Sequence, residues 1–339
     1  MSKRLLLISV IGIALLVTAG WWVWMNLFVL APQSPRAFEV ILPEATAEAI
    51  TPLPESIPLN ASKVALGNRL FHDPRLSSDN STACASCHAL DKGGVDGRRR
   101  SLGIGGQTGD INAPTVFNSG FNFKQFWNGR ANSLEDQIEG PLKHPKEMGS
   151  SWAEVLGKIK NDATYRVAFA AIYPDKIQSN NIKDAIVTFE RSLITPNSRF
   201  DKYLKGNHGA ITADELNGYR LFKSYGCIAC HQGVNIGGNM FQTFGVMGDY
   251  FQDRGNITQA DLGRYNVTKL EEDKYVFKVP SLRNVALTAP YFHDGTAVTL
   301  EQAVIIMGKY QLGVAIPSSD VALIVKFLKT LTGEYEVKT

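Results

Sequence analysis

The sequence predicts a mainly α-helical protein in which two small domains follow an N-terminal transmembrane helix. Three observations support this prediction: an uncharged apolar run near the N-terminus, capped amphipathic helices along the rest of the chain, and a Cys-x-x-Cys-His motif that occurs twice. The composition of the 339 residues is ordinary for globular domains, with 44% hydrophobic and 10% aromatic residues. The formal net charge of +3 is too small to indicate a nucleic-acid partner.

The first element is the apolar segment at residues 5–30, which follows Lys3 and Arg4 and contains no charge. As a helix it would extend about 39 Å, enough to cross a bilayer with some tilt. Three tryptophans fall towards its outer end, where indoles prefer the interface. We therefore interpret residues 1–36 as a membrane anchor. A signal peptide cleaved near Gly20 is the alternative, but the apolar run continues past Gly20.

The second element, residues 37–62, is rich in Pro, Ala and Glu and lacks apolar periodicity, which is typical of a tether. The rest of the chain is long enough for two domains, one around each Cys-x-x-Cys-His motif. We place these domains at residues 63–196 and 197–339.

Helix signals dominate both domains. Amphipathic patterns at residues 182–193 and 321–331 predict two helices, and residues 275–279 form the only convincing strand-like run. Glycine-rich residues 93–118 and 233–248 indicate irregular structure. Three capping boxes open further helices, at Ser151 with Glu154, Thr212 with Glu215, and Thr299 with Gln302.

The two Cys-x-x-Cys-His motifs use all four cysteines of the chain. In this pentapeptide the thiols can add to the vinyl groups of a haem while the adjacent imidazole binds the iron. A disulfide, a zinc site or a redox dithiol would not require His after both second cysteines. The motifs therefore predict two covalently bound c-type haems in cytochrome c-like domains outside the cytoplasm. The haem-binding residues are Cys84, Cys87 and His88, and Cys227, Cys230 and His231.

Further motifs follow the first haem motif in a fixed order. They include Gly-Gly-Val-Asp at 93–96, Gln-Phe-Trp-Asn-Gly-Arg at 125–130, Pro-Ser-Leu-Arg-Asn-Val at 280–285 and Pro-Tyr-Phe-His-Asp-Gly at 290–295. With them the chain resembles the bacterial dihaem cytochrome c peroxidases over roughly residues 66–333. The methylamine dehydrogenase maturation enzymes share this scaffold, so the resemblance leaves more than one chemistry open.

The resemblance implies that the N-terminal haem is the peroxidatic one. Its distal carboxylate aligns with Glu147 and its distal amide with Gln137. A carboxylate can take a proton from bound peroxide and return it to the departing oxygen, which is the general acid–base step of O–O cleavage. The amide can orient the peroxide by hydrogen bonding.

Three further roles come from the same resemblance. Met307 aligns with the sixth ligand of the second haem, and Met/His ligation favours reduced iron. The maturation enzymes carry Tyr at that position, so Met307 favours a peroxidase. Trp127 aligns with a tryptophan between the haems that can relay electrons. The family's calcium position between the domains corresponds to Asn112 and the backbone carbonyls of Thr288 and Pro290.

The chain departs from the family in the loop that follows Ser-x-Gly. Many members carry a His there, which covers the distal face of the first haem in the resting enzyme and leaves on reduction. Ile104 occupies that position here and cannot ligate iron. His144 lies close to Glu147 in sequence, but a lone His is usually a surface or packing residue. We therefore expect an open distal position in the fully oxidised protein.

These features predict a periplasmic dihaem peroxidase that reduces hydrogen peroxide to water. A dihaem oxidase acting on a protein or organic substrate through high-valent iron, and a non-enzymatic dihaem electron carrier, are the alternatives. A carrier would require both irons to be six-coordinate, and the first domain offers no evident sixth ligand. We expect electrons from a small cytochrome c, a copper protein or a quinol, and a homodimer is possible.

Overall fold

The computed structural model describes residues 48–335, so the predicted anchor at residues 5–30 lies outside the described residues. Within residues 48–335, none of the helices has both the length and the apolar character that crossing a membrane requires. Most of the regular structure in this part of the chain is helical, as the sequence predicts. Residues from Ala49 onward form one compact unit, and the domain boundary at residue 196 stays a prediction.

Thirteen α-helices follow one another along residues 48–335. They are α1 (Ala61–Phe71), α2 (Cys84–Cys87), α3 (Leu134–Gln137), α4 (Glu139–Lys143), α5 (Trp152–Lys160), α6 (Ala163–Ile172), α7 (Ser179–Ser192), α8 (Arg199–Leu204), α9 (Ala213–Ser224), α10 (Tyr250–Arg254), α11 (Tyr265–Thr268), α12 (Leu300–Ile306) and α13 (Ser318–Lys329). A π-helical segment, Met307–Leu312, continues directly from α12.

Short 3-10 turns connect these helices. They lie at Pro74–Leu76, Leu90–Lys92, Ile104–Gly106, Ser119–Phe121, His208–Ala210, Cys227–Ala229, Gln259–Leu262, Glu271–Asp273 and Val285–Leu287. Two short strands, β1 (Phe241–Thr243) and β2 (Val276–Lys278), pair antiparallel with Phe241 opposite Lys278. The sequence predicts the strand β2, whereas β1 lies in a glycine-rich segment for which irregular structure is expected.

The predicted helix starts are observed, with one difference. Ser151 and Thr212 form complete capping boxes with their glutamates. At the start of α12, Thr299 accepts from the backbone N–H of Gln302, but the Gln302 side chain accepts from the N–H of Val298 instead. This box is therefore only half formed.

One helix crossing occurs twice in the fold. Helix α1 packs along α7, and helix α9 packs along α13. Each pair is held in close approach by a glycine: a Cβ at Gly67 would clash with the carbonyl of Ala185, and a Cβ at Gly218 with that of Leu323. Each crossing lies in a separate hydrophobic cluster. Cys227 packs against the second of these clusters, and Cys84 packs against a smaller third cluster that includes Phe71 and Phe189.

The segment before α1 is ordered against the second of these clusters. Ile50 and Leu53, which fall in the predicted tether, are each only 1% exposed. Ile50 pairs with Gly233 in a β-bridge, and the carbonyl of Thr51 accepts a hydrogen bond from buried Arg283. The segment that precedes α1 in sequence therefore packs against the C-terminal half of the chain.

Two candidate haem cavities

Both Cys-x-x-Cys-His motifs fold into one tight turn. The backbone N–H of His88 donates to the carbonyl of Cys84, and that of His231 donates to the carbonyl of Cys227, each at 3.0 Å. One turn thus presents two thiols and an imidazole together. None of the four cysteines forms a disulfide, and burial raises the pKa of the Cys84 thiol to about 12 and that of the Cys227 thiol to about 11.

The two imidazoles are oriented in the same way. Nδ1 of His88 lies 3.2 Å from the carbonyl oxygen of Gly94, and Nδ1 of His231 lies 3.4 Å from that of Ile236. Because a carbonyl oxygen only accepts, Nδ1 carries the proton and Nε2 is left free to bind a metal. Burial lowers the pKa of both rings, to about 4 for His231, which keeps them neutral. Both motifs therefore fit a haem iron.

The first cavity adjoins His88, Cys84 and Cys87. Together with the adjoining solvent space it encloses about 1380 Å³. The structure brings both predicted distal residues, Gln137 and Glu147, into its wall. A carboxylate and an amide therefore face the same cavity as the histidine.

The carboxyl of Glu147 lies in a partly buried position. Burial raises its pKa, while His144 and Arg130 act in the opposite direction. Nδ1 of His144 lies 3.6 Å from Oε1 of Glu147. Arg130, also in the cavity wall, stacks its guanidinium over the ring of Phe126, with 3.3 Å between Cζ and the ring centroid. The sequence motifs do not single out Arg130 for a role at this site.

Neither Ile104 nor His144 lies in the wall of the first cavity. The N–H of Ile104 donates to the carbonyl of Glu147 at 2.9 Å, and the Ile104 side chain packs over Gly149. The loop that follows Ser101 is thus hydrogen-bonded to the backbone at Glu147. The Ile104 side chain lies against Gly149 and does not line the first cavity.

The second cavity contains both His231 and Met307 in its wall, together with Cys227 and Cys230. Met307 is the C-cap of α12 and the first residue of the π-helical segment. Single-turn π-helical segments are rare and occur frequently at functional sites. The structure therefore places a thioether on the cavity that holds the second imidazole.

Residues 113–115 form a wall common to both cavities. Trp127 lies beside this wall, where its Nε1–H donates to the carbonyl of Asn112 at 2.9 Å. Asn112, Thr288 and Pro290 all line the second cavity. The Asn112 amide donates to the carbonyl of Arg98 at 2.9 Å, which directs its Oδ1 away from that contact.

A buried network of charged side chains packs beside Trp127. Nε2 of His293 lies 2.7 Å from Oδ1 of Asp261, and Arg254 bridges Asp261 and Asp294. His293 also contacts Trp127 edge-on, with 6.3 Å between ring centroids. Burial would raise the pKa of Asp261, but hydrogen bonds from His293 and Arg254 outweigh it and hold that pKa well below its usual range. Arg254 thus pairs with both carboxylates, and the network holds His293 beside Trp127.

Sequence reasoning missed two further polar groups in the cavity walls. Glu190, on α7, lines the first cavity and Lys278, on β2, lines the second. A lysine inside the predicted strand run at residues 275–279 was a usable signal. The sequence shows Glu190 only as one more charged residue of an amphipathic helix.

Comparison with known proteins agrees with this geometry. A family model described as di-haem cytochrome c peroxidase matches residues 61–209. Cytochrome c peroxidase Ccp of Escherichia coli (strain K12) is 52% identical over 86% of this chain and 63% of its own length. The chain therefore spans just under two thirds of that relative. Cytochrome c551 peroxidase of Nitrosomonas europaea is 46% identical over 86% of each chain.

The fold also has a solved counterpart. A MauG-like protein associated with microbial copper homeostasis superposes with a TM-score of 0.76 at 32% sequence identity. The match covers 83% of this chain and 95% of that protein. The resemblance inferred from sequence motifs and the similarity of the folded chain thus agree.

Proposed function

Because the chain belongs to the di-haem cytochrome c peroxidase family, we propose that it reduces hydrogen peroxide to water at its first haem site. The relatives are named cytochrome c peroxidases, which are oxidoreductases acting on hydrogen peroxide. One observation carries the proposal: among residues 48–335, carboxyl groups line the first cavity but not the second. The first has Glu147 and the amide of Gln137 in its wall, whereas the second has the thioether of Met307.

The overall reaction consumes one peroxide, two electrons and two protons and releases two waters. When bound, haem iron supplies the redox chemistry and the site at which the O–O bond breaks. The residues of the chain supply positioning and protons. His88 and His231, with Nδ1–H held by backbone carbonyls, offer Nε2 to iron.

Glu147 acts as the general acid–base. It would take the proton from one peroxide oxygen and return it to the other oxygen, which departs as water. Its raised pKa supports this role, because a general acid–base works best when its pKa lies near the operating pH. Gln137 orients the peroxide through its side-chain amide.

Met307 would hold the iron of the second haem through its thioether, which would close that site to peroxide and favour the reduced state that stores an electron. Trp127, beside the wall shared by the cavities, offers a π system for electron transfer between them. The oxidase and carrier alternatives are weaker. The methylamine dehydrogenase maturation enzymes carry Tyr at the position of Met307. An electron carrier needs no acid–base residues in an open first cavity.

Calcium binding is part of the proposal. Asn112 Oδ1 and the carbonyls of Thr288 and Pro290 are hard oxygen donors of the kind that Ca²⁺ takes, with waters completing its coordination. They line the cavity beside Trp127. A bound ion there would fix the segment that contacts the tryptophan.

We place the protein in the periplasm, attached to the inner membrane by residues 5–30, where c-type haem is assembled. A small c-type cytochrome is the proposed electron donor, consistent with the cytochrome c551 named in a relative. A homodimer belongs to the same proposal.

Steady-state turnover of peroxide with a reduced donor tests the function. Glu147→Gln removes the acid–base group while keeping its shape, so the rate should fall by about 10²–10⁴ with both haems retained. Glu272→Gln, at an exposed glutamate that lines neither cavity, is the matched control and should keep full activity. Full activity in a haem-replete Glu147→Gln enzyme would refute the role of Glu147.

A further inference from the structure

Lys278 is a buried cation that has no counter-ion in the described protein. Its side chain is only 7% exposed, although lysine is almost never fully buried unless paired. Among residues 48–335 no carboxylate and no hydrogen-bond acceptor approaches its Nζ. Arg254 and Arg283, by contrast, are both matched by aspartates.

The position of Lys278 is fixed by the backbone around the second cavity. It ends β2, pairs with Phe241 of β1, and its N–H donates to the carbonyl of Trp127 at 2.7 Å. Its side chain lines the cavity that contains His231 and Met307. Burial alone lowers the pKa of this ammonium to about 8, because nothing else in the described protein acts on it.

An unpaired ammonium is costly to bury, and replacing its lost hydration requires an anion. The group expected in this cavity carries anions, since every haem has propionate carboxylates. We infer that Lys278 is the counter-ion of a haem propionate in the second cavity and that its charge raises the reduction potential of that haem. This inference rests on the proposed function only in assuming that the second motif binds haem.

The effect on potential follows from charge. Oxidation adds a positive charge to the iron, and a nearby ammonium disfavours that charge. Without Lys278 the propionate remains uncompensated and stabilises ferric iron instead. A high potential at the second site therefore requires Lys278 in addition to the thioether of Met307.

The test is a redox titration of the full chain with both haems attached, followed by the absorbance of the second haem and without peroxide. At the potential where the wild-type second haem is half reduced, Lys278→Met should lower the ratio of reduced to oxidised haem at least tenfold. For a one-electron couple this corresponds to about 59 mV. Lys278→Arg should stay close to wild type.

Lys274→Met is the matched control, because it removes a lysine of the same segment that is paired with Glu271 at 2.6 Å on the surface. It should leave the titration unchanged. If Lys278→Met loses the second haem while Lys278→Arg keeps it, anion binding by Lys278 is also supported. An unchanged titration in haem-replete Lys278→Met, or an equal loss in Lys278→Arg, overturns the inference. Since no peroxide is used, either result is independent of whether the chain is a peroxidase.

Discussion

Glu190 is a buried carboxylic acid in the wall of the first cavity, 7% exposed, and its Oε2 has no hydrogen-bond partner among residues 48–335. Burial, with a contribution from Glu135, raises its pKa from 4.5 to about 8, although Arg191 opposes the shift. Arg191 is itself paired with Glu135 at 2.8 Å. Glu190 therefore carries a proton at neutral pH.

This proton makes stability depend on pH. The folded protein keeps it, whereas the unfolded chain releases it above about pH 4.5, so the contribution is complete below that pH and is lost as the pH rises through about 8. The free energy of unfolding should fall by up to about 1.4 kcal/mol per pH unit across this window. Glu190→Gln cannot ionise and should remove that slope.

Thermal unfolding of wild type and Glu190→Gln between pH 5 and pH 9 measures this, with Glu272→Gln as the exposed control. We expect the melting temperature of Glu190→Gln to exceed that of wild type by a margin that grows with pH. If the melting temperatures of all three proteins changed with pH in the same way, Glu190 would not carry a buried proton.

At the scale of elements, the crossings of α1 with α7 and of α9 with α13 depend on one glycine each. Gly218→Ala pushes a methyl group against the carbonyl of Leu323, and overpacking of this kind typically costs about 1–3 kcal/mol. Its melting temperature should fall clearly below that of wild type.

Gly157→Ala is the matched control, since Gly157 is an exposed helical glycine at which an added methyl group would meet open space. Replacing such a glycine by alanine favours the helix by up to about 1 kcal/mol, so its melting temperature should rise. Equal shifts in Gly157→Ala and Gly218→Ala, of either sign, would mean that the crossing is not tight.

The elements also show what the sequence could and could not predict. Helices α7 and α13 follow from amphipathic periodicity, and Ser151 and Thr212 begin helices because their side chains cap them. The strand β1 escaped prediction because three residues carry no usable alternation and its pairing with β2 is a long-range contact. The π-helical segment after Met307 gave no periodic signal either.

At the scale of the whole molecule, the two motifs for covalent haem attachment were the feature that the sequence could predict. Two thiols and a histidine must adjoin in sequence to attach and ligate one haem, so both motifs could be identified directly. The groups around them come from distant elements: Asp261 reaches His293, and Lys278 reaches the cavity of His231, only after folding. A lone carboxyl such as Glu190 carries no such signal, and its lack of a hydrogen-bond partner is visible only in the structure.

We propose two unequal sites in one chain, the first with an open distal position and the second closed by Met307. Ile104 strengthens this asymmetry, because it offers no ligand and packs over Gly149 outside the first cavity. No reduction step is then needed to open the first site. Its affinity for an added ligand should not be lowered by a closed population.

Cyanide titration of the fully oxidised, as-isolated protein, followed by absorbance, tests this asymmetry most directly. We predict one tightly bound cyanide per chain in wild type, and two in Met307→Leu, where the thioether is lost and the apolar volume is kept. Binding of no cyanide until an electron is added, or of two by wild type, would contradict the asymmetry of the two sites.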